Sequence, residues 1–238
     1  MRTAGQILAS LEFAGCDSRS LPDHLCHQCM EALPVNGVGL ALMNDAGHQG
    51  VIAATDGPAR LMEELQFTLG EGPCLDASRS RRPIMEPDLA GTARTRWPGF
   101  GPAVLEAGIA AIFAFPLQIG AIRLGILDLY RATPGALDDE QLGDALAYGD
   151  AAAVVLLRMQ SKVPPGGGLH PLLGASVQSH AEVHQATGAV AVQAGVSLSE
   201  ALLLLQAHAY AADRSLRAVA RDVLEGALRF QLSAEDHE

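Results

Sequence analysis

The run Val163-Pro164-Pro165-Gly166-Gly167-Gly168 sets the strongest limit on how this chain can fold. Proline has no amide to give to a helix ladder, and glycine loses more backbone freedom on ordering than any other residue, so neither helix nor strand continues through this stretch. The 238 residues therefore divide into a first part of about 160, long enough to bury a core of its own, and a shorter second part. We place a first domain at 1–160, a linker at 161–171 and a second domain at 172–232.

Three amphipathic helical patterns fill the second part. Val183, Ala186, Val190 and Ala194 keep a helical period and must be buried against something. Gly195 ends that helix. Ser197 offers an oxygen to the free amides of the next one, Glu200 three positions on completes a capping box, and Ala201, Leu204, Leu205, His208 and Ala209 form its apolar face. Ser215 caps a third helix, whose face runs through Leu216, Val219, Ala220, Val223, Leu224 and Ala227. Three short helices with one apolar stripe each predict a bundle.

The core of the first pattern, Ala181-Glu182-Val183-His184-Gln185-Ala186-Thr187-Gly188, followed by Val196-Ser197 and by Ala201 through Ala209, resembles the ANTAR domain, an RNA-binding module of bacterial transcription antiterminators. The resemblance covers Val177 to Leu228 and rests on Ala186, Gly188, Ala201, Leu205, Ala209, Leu216, Val219 and Ala220, mostly small residues that let helices approach closely. The family pattern usually has Arg eight residues before the glycine, an acidic residue four before it and Lys directly before it; here these are His180, His184 and Thr187. The variant Val-His-Gln-Ala-Thr-Gly is similar to a form common in actinobacterial members. The resemblance implies binding to paired RNA hairpins, with His184, Gln185, Thr187, Tyr210, Arg214, Arg217 and Arg221 as the groups available for it.

Charge narrows how such binding could work. The net charge of −11 argues against unspecific attachment to nucleic acid, since phosphate neutralisation supplies most of that affinity. From Ser176 onward four arginines stand against eight acidic residues, so an RNA site must be a local patch. Arg214, Arg217 and Arg221 at i, i+3 and i+7 offer one such face. The same spacing allows an intrahelical ladder of Asp213, Arg217, Arg221 and Glu225, and the two readings can coexist.

The first part alternates strands and helices. Val35 to Met43 and Gly50 to Ala54 read as strands around the turn Asn44-Asp45-Ala46-Gly47, and Ile109 to Leu117 with Ile122 to Tyr130 as a second pair turning at Gly120. Between the pairs lie a helix near Pro58 to Phe67, a Gly-bounded segment from Leu69 to Asp76, a short strand around Pro83 to Glu86 and a helix from Pro98 to Glu106. A long helix over Asp138 to Met159 closes the region, and its Leu142, Leu146, Ala153, Leu156 and Leu157 predict a homodimer seam. The fold class expected is α+β: an antiparallel sheet flanked by helices, followed by the three-helix bundle.

This region resembles the GAF domain, a small-molecule-binding and dimerising sensor fold. Leu69-Gly70-Glu71-Gly72-Pro73-Cys74, Asp88-Leu89, Arg96-Trp97-Pro98-Gly99-Phe100, Phe115-Pro116-Leu117 and Leu124-Gly125-Ile126-Leu127 carry the resemblance, which covers about Pro22 to Gln160. Together the two halves resemble actinobacterial GAF-ANTAR proteins. A ligand would lie between the sheet and the helices of the middle segment, where Cys74, Asp76, Trp97, Phe100, Phe113 and Phe115 are the candidates. No cofactor is identified.

Cys26 and Cys29 form Cys-x-x-Cys beside His24 and His27, but Leu25, Cys26, Cys29, Met30 and Leu33 make one helical stripe. Buried free thiols fit better than a metal set, and no metal site is expected. Cys74 follows Gly72-Pro73 at a helix start, where the dipole should lower a thiol pKa, although a small packed thiol beside a turn is the leading reading over a redox-sensing or ligand-contacting one. Cys16 tells nothing. No run reaches the eighteen or so apolar residues needed to cross a bilayer, and Met1 to Ala14 lacks a signal-peptide core, so a cytoplasmic protein without membrane partners is expected. The leading function is a signal-responsive, non-enzymatic regulator that binds hairpins in nascent transcripts and controls antitermination. A DNA-binding transcription factor with a ligand sensor is the alternative, and a thiol-dependent redox enzyme a third reading.

Overall fold

The computed structural model describes residues 1–13, 21–44, 47–164, 166–178 and 180–230. Cys16, the turn residues Asp45 and Ala46, and Pro165 lie outside them. Helices α1 (Ala4–Phe13) and α2 (Leu21–Ala32) precede a hairpin of β1 (Gly37–Asn44) and β2 (Gly47–Ala54). Next come α3 (Gly57–Leu69), α4 (Pro73–Ser80), β3 (Ile84–Glu86), α5 (Leu89–Arg96) and α6 (Phe100–Glu106). A second hairpin, β4 (Ala111–Ile119) and β5 (Ile122–Arg131), leads into the long α7 (Asp139–Ser161) and the short α8 (Pro171–Gln178). The chain continues through α9 (Ala181–Ala194), α10 (Leu198–Ala211) and α11 (Leu216–Leu224). The residues form two compact units, Met1–Phe67 with Glu71–Val177, and Thr68–Gly70 with the chain from Gln178 on.

In the first unit the five strands pair in the order β2-β1-β5-β4-β3, antiparallel throughout. Gly120 turns the second hairpin at φ 57°, a conformation that costs glycine nothing. Alternation along the strands sends Val38, Leu40, Phe113, Phe115, Leu117, Leu127 and Leu129 to one face, against α1, α2 and α7. Met43, Ala114 and Ile126 point to the other, against Cys74, Leu75 and Ala77 of α4. Both faces are covered, so nearly every strand residue must be apolar or paired.

Helix α2 buries Leu25, Cys26 and Cys29 completely, and both cysteines are free thiols, as the apolar stripe predicts. Helix α7 opens with a capping box in which Asp138 accepts from the Gln141 amide at 2.8 Å and Gln141 from the Asp138 amide at 3.2 Å. Its apolar stripe does not form one free seam. Ala153 and Leu156 are buried in the core of the same unit and Leu142 packs against it, leaving Leu146 and Leu157 at 44% and 39% exposure. A helix that lies along a sheet spends most of its apolar face there.

Past α7 the chain folds back. The Gln160 side chain donates to the Gly168 carbonyl at 2.7 Å and accepts from the His170 amide at 3.0 Å. Helix α8, which the sequence pattern does not single out, belongs to the first unit: Leu173 joins the core and the Ser176 hydroxyl donates to the Val51 carbonyl at 2.7 Å.

The second unit follows its periodicity closely. Val183, Ala186, Val190, Ala201, Leu205, Ala209, Leu216, Val219, Ala220 and Val223 are buried. Gly195 ends α9 at φ 68°, the Ser197–Glu200 capping box is formed, and the Ser215 hydroxyl accepts from the Ala218 amide at 3.2 Å. The third pattern stops short of its expected end: α11 closes at Leu224, which is 42% exposed, and Ala227 lies beyond it.

The approach of α6 to α5 gives a test of the packing. A Cβ at Gly101 would stand 2.7 Å from the backbone carbon and oxygen of Ala93, where nothing flexible can yield. Gly101→Ala should lower stability by about 1–3 kcal/mol through overpacking, measured as a fall in Tm. An unchanged Tm would mean that the two helices can part freely.

Candidate functional site

The first unit holds a polar cluster inside its core. Asp128 on β5 sits opposite Gly39 of β1 and Ala114 of β4, on the sheet face away from Leu127 and Leu129. Helix α3 turns Ala59, Met62, Glu63, Gln66 and Phe67 inward, so its apolar stripe carries a carboxyl and an amide with it. Glycine at position 39 is what admits Glu63, because a Cβ there would collide with the carboxylate. Glu63, Gln66, Cys74 and Asp128 are all fully buried.

Gln66 ties these groups together. Its amide oxygen accepts from the Cys74 backbone amide at 2.7 Å and its nitrogen donates to Asp128 Oδ2 at 2.9 Å. The first bond stands in for a missing cap, since Gly72 has no side chain to give to the start of α4. His48 Nε2, also buried, lies 3.4 Å from Glu63 Oε2.

Loss of water dominates the acid–base behaviour here. Burial pushes the Glu63 carboxyl up to about 8 and holds Asp128 well above the usual carboxylate range, with Glu63 as its next cause. Burial also raises the Cys74 thiol, and Asp128 and Glu63 add to the rise. The lowering expected from the start of α4 is overturned, because desolvation and two carboxyls outweigh one helix dipole.

Asp76, Trp97 and Phe100 come together elsewhere, where α4 meets α5 and α6. Asp76 Oδ2 accepts from Trp97 Nε1 at 3.2 Å and from Arg96 Nη2 at 3.1 Å, and the Arg96 guanidinium lies 4.6 Å over the indole ring. Phe100 meets Trp97 edge to face at 6.2 Å, while Glu71 Oε1 accepts from the Gly99 and Phe100 amides, both at 2.6 Å. Trp97 and Phe100 are buried and already fully engaged in packing. Phe113 and Phe115 lie on the opposite sheet face, among the α2 and α7 side chains. Phe115 also lines a cleft of about 290 Å³ with Pro83, Leu117, Leu146 and Ala153. The six candidates from the sequence thus fall into three places.

Sequence reasoning misses Glu63, Gln66, Asp128 and His48. The signal for three of them exists: Glu63 and Gln66 fall on the Ala59-Met62-Phe67 stripe, and Asp128 interrupts the apolar run Gly125-Ile126-Leu127-Asp128-Leu129. A carboxyl on a buried face stands there against a desolvation cost.

In the second unit Arg214, Arg217 and Arg221 are paired, two of them across helices. Arg217 Nε donates to Glu182 Oε2 of α9 at 2.6 Å, and Arg221 Nη2 lies 3.5 Å from Glu182 Oε1. Arg214 Nη1 donates to Asp222 Oδ2 at 2.6 Å. The ladder considered from sequence loses both ends, since Asp213 sits in a left-handed turn at φ 50° before α11 and Glu225 is its C-cap. Arg217 and Arg221 keep 67% and 55% of their side chains exposed, and these two guanidiniums hold the Glu182 carboxyl below its ordinary value. Tyr210 is exposed, and Gln185 and His184 are more open than the buried Val183 and Ala186 on either side of them, with His184 beside His180. Thr187 differs: it is buried, and its hydroxyl donates to the Val183 carbonyl at 2.7 Å, so its hydrogen is committed within its own helix.

Known proteins match both units. Residues 17–156 match the model of the GAF domain, and residues 173–224 that of the ANTAR domain. The GAF domain of a phosphoenolpyruvate-protein phosphotransferase from Coxiella burnetii superposes with a TM-score of 0.52 at 17% identity, over 67% of this chain and 96% of that one. The corresponding domain from Acinetobacter gives 0.51 at 10% identity, over 67% and 93%. A GAF domain/HD domain protein from Geobacter sulfurreducens gives 0.50 at 16% identity, over 65% and 98%. At these identities the likeness concerns the fold. No curated protein matches the chain. Among the described residues no single helix is long and apolar enough to cross a membrane.

Gln66 gives the cluster a direct test. Gln66→Leu keeps the volume but leaves the buried Cys74 amide and Asp128 Oδ2 without their partner, at about 1–3 kcal/mol for each orphaned group. Chemical denaturation should show a fall of that order. A Leu variant as stable as the parent would show that these two bonds contribute nothing.

Proposed function

We propose, since the chain belongs to the GAF domain family and carries an ANTAR domain behind it, that this signal-sensing regulator acts in the cytoplasm by binding RNA hairpins in nascent transcripts and so controls antitermination. The observation that carries the RNA reading is the pair of exposed guanidiniums, Arg217 and Arg221, held side by side on α11 by the single carboxylate of Glu182. A net charge of −11 leaves little unspecific attraction, so affinity must come from such local groups. Arg214, Tyr210, His184 and Gln185 surround this reading as phosphate, stacking and edge contacts. Thr187 is dropped from it.

Replacing Arg217 and Arg221 together by Ala should weaken binding to a two-hairpin RNA on the order of tenfold at low salt. It should also reduce the salt slope by about 0.7 to 0.9 for each phosphate that is no longer neutralised. Glu182→Gln should act in the opposite direction, because it frees both guanidiniums from a competing anion. Thr187→Lys should lower Tm without a gain in affinity, since the lysine must leave a buried position. Duplex DNA of equal length is the control. Tighter binding to the duplex would favour the DNA-binding alternative, and unchanged RNA affinity in the double Ala variant would remove α11 from the interface.

We propose further that the chain acts as a homodimer through the exposed part of α7, where Leu146 and Leu157 remain uncovered. Sedimentation at micromolar concentration should give twice the chain mass, and Leu146→Glu with Leu157→Glu should return a monomer. A monomeric parent protein would end this reading.

A further inference from the structure

Three potential metal ligands meet inside the first unit. One carboxylate oxygen each from Glu63 and Asp128 and the Cys74 thiol all lie within 4.8 Å of one another, and all three residues are fully buried. The three come from different elements, α3, α4 and β5, so no local turn forces them together. Glu63 Oε1 and Asp128 Oδ1 are, in addition, buried without a fixed hydrogen-bond donor among the described residues, and the two carboxyls can bond to each other only when one carries a proton. Buried carboxylate oxygens left this way are costly, and a cation or a shared proton is what offsets the cost.

We propose that Glu63, Cys74 and Asp128 bind one divalent first-row transition ion of the zinc or ferrous type. The donor set selects the class. Thiolate is a poor ligand for magnesium or calcium, and carboxylates are poor ligands for monovalent copper, whereas zinc and ferrous iron accept both. Size agrees as well. Bonds of about 2.0–2.3 Å place neighbouring ligands of a tetrahedral ion roughly 3.3–3.8 Å apart, so atoms within 4.8 Å need to close by about an ångström.

The surroundings are those of a held site. Gln66 Nε2 fixes Asp128 through Oδ2, leaving Oδ1 as the open donor. His48 holds Glu63 through Oε2 and leaves Oε1 open, over the bare Cα of Gly39. Gln66 also fixes the Cys74 backbone, and with it the position of the thiol. Gln66 and His48 are therefore positioning residues of the kind that orient metal ligands. Three protein ligands leave one coordination position of a tetrahedral ion unfilled by this chain. Charge is offset in the same place, since a dication neutralises two of the three anionic ligands and the nearby Arg79 guanidinium favours the thiolate. This inference goes beyond the regulatory reading and does not depend on RNA binding.

The test uses the full chain, stripped with a chelator and titrated with Co²⁺ alone, followed by competition with Zn²⁺. One equivalent of cobalt per chain should bind, with a near-ultraviolet thiolate-to-cobalt charge-transfer band that zinc abolishes. Cys74→Ser should lose that band, and Asp128→Asn and Glu63→Gln should each weaken cobalt binding by about tenfold or more, with circular dichroism checking that each variant folds. Cys26→Ser with Cys29→Ser should keep the band intact, because those thiols lie on the other sheet face. No cobalt band in the parent protein overturns the proposal whatever the variants do. So does a band that survives Cys74→Ser or vanishes in the Cys26 and Cys29 double variant. None of these readouts involves RNA, so failure here and failure of the RNA reading are told apart.

Discussion

The first unit depends on a sheet covered on both faces. Once α1, α2 and α7 close one side and α4 the other, every inward position must be apolar or have a partner, because no water reaches it. The face under α1, α2 and α7 meets this condition with hydrocarbon. The other face admits Asp128 between Ile126 and Tyr130, and Glu63, Gln66, Cys74 and His48 are drawn to the same spot. Two glycines make this possible by what they lack: Gly39 leaves space for the Glu63 carboxylate, and Gly72 leaves space for the Gln66 side chain.

The second unit balances the same terms differently. Its helices approach through small side chains, Ala186, Ala201, Ala209 and Ala220, so each of these positions buries little apolar area. Capping and cross-helix pairing therefore matter more. The Ser197–Glu200 box fixes the start of α10, and Glu182 joins α9 to α11 through two arginines. Exposed ion pairs of this sort add at most modest stability in water, so their main consequence is geometric. They hold two guanidiniums at a set spacing on a surface whose overall charge would otherwise repel an anionic ligand.

Most elements are legible in the sequence because they depend on local patterns. The two hairpins, the long helix with its Asp138 cap and the three C-terminal helices all follow from periodicity, capping residues and turn glycines. The strands under the helices are called for by apolar runs, and the stop after Ser161 by two prolines. Helices α1, α5 and α8 escape such a reading, since each is short and weakly patterned; α5 leans on its neighbour α6, whereas α1 and α8 pack against segments far along the chain. Helix α8 shows this plainly: Leu173 and the Ser176 bond to Val51 hold it, and Val51 lies 125 residues away.

The candidate sites show where local reasoning ends. Sequence alone determines that Arg217 and Arg221 share a helical face, because i and i+4 positions do so in any α-helix. Only the tertiary structure decides that their partner is Glu182, since that pairing requires α9 to cross α11. Likewise, the sequence places Cys74 near a helix start, but the fold surrounds it with Asp128 and Glu63 and thereby reverses the expected direction of its pKa. Trp97 and Phe100, attractive as aromatic walls, are consumed by Asp76, Arg96 and each other. The residues that look polar and ordinary in the sequence, Glu63, Gln66 and Asp128, gain their chemistry from burial alone. Spacing along one segment marks each of them as inward-facing, but only the stacking of the layers brings the three to one place and shuts out water.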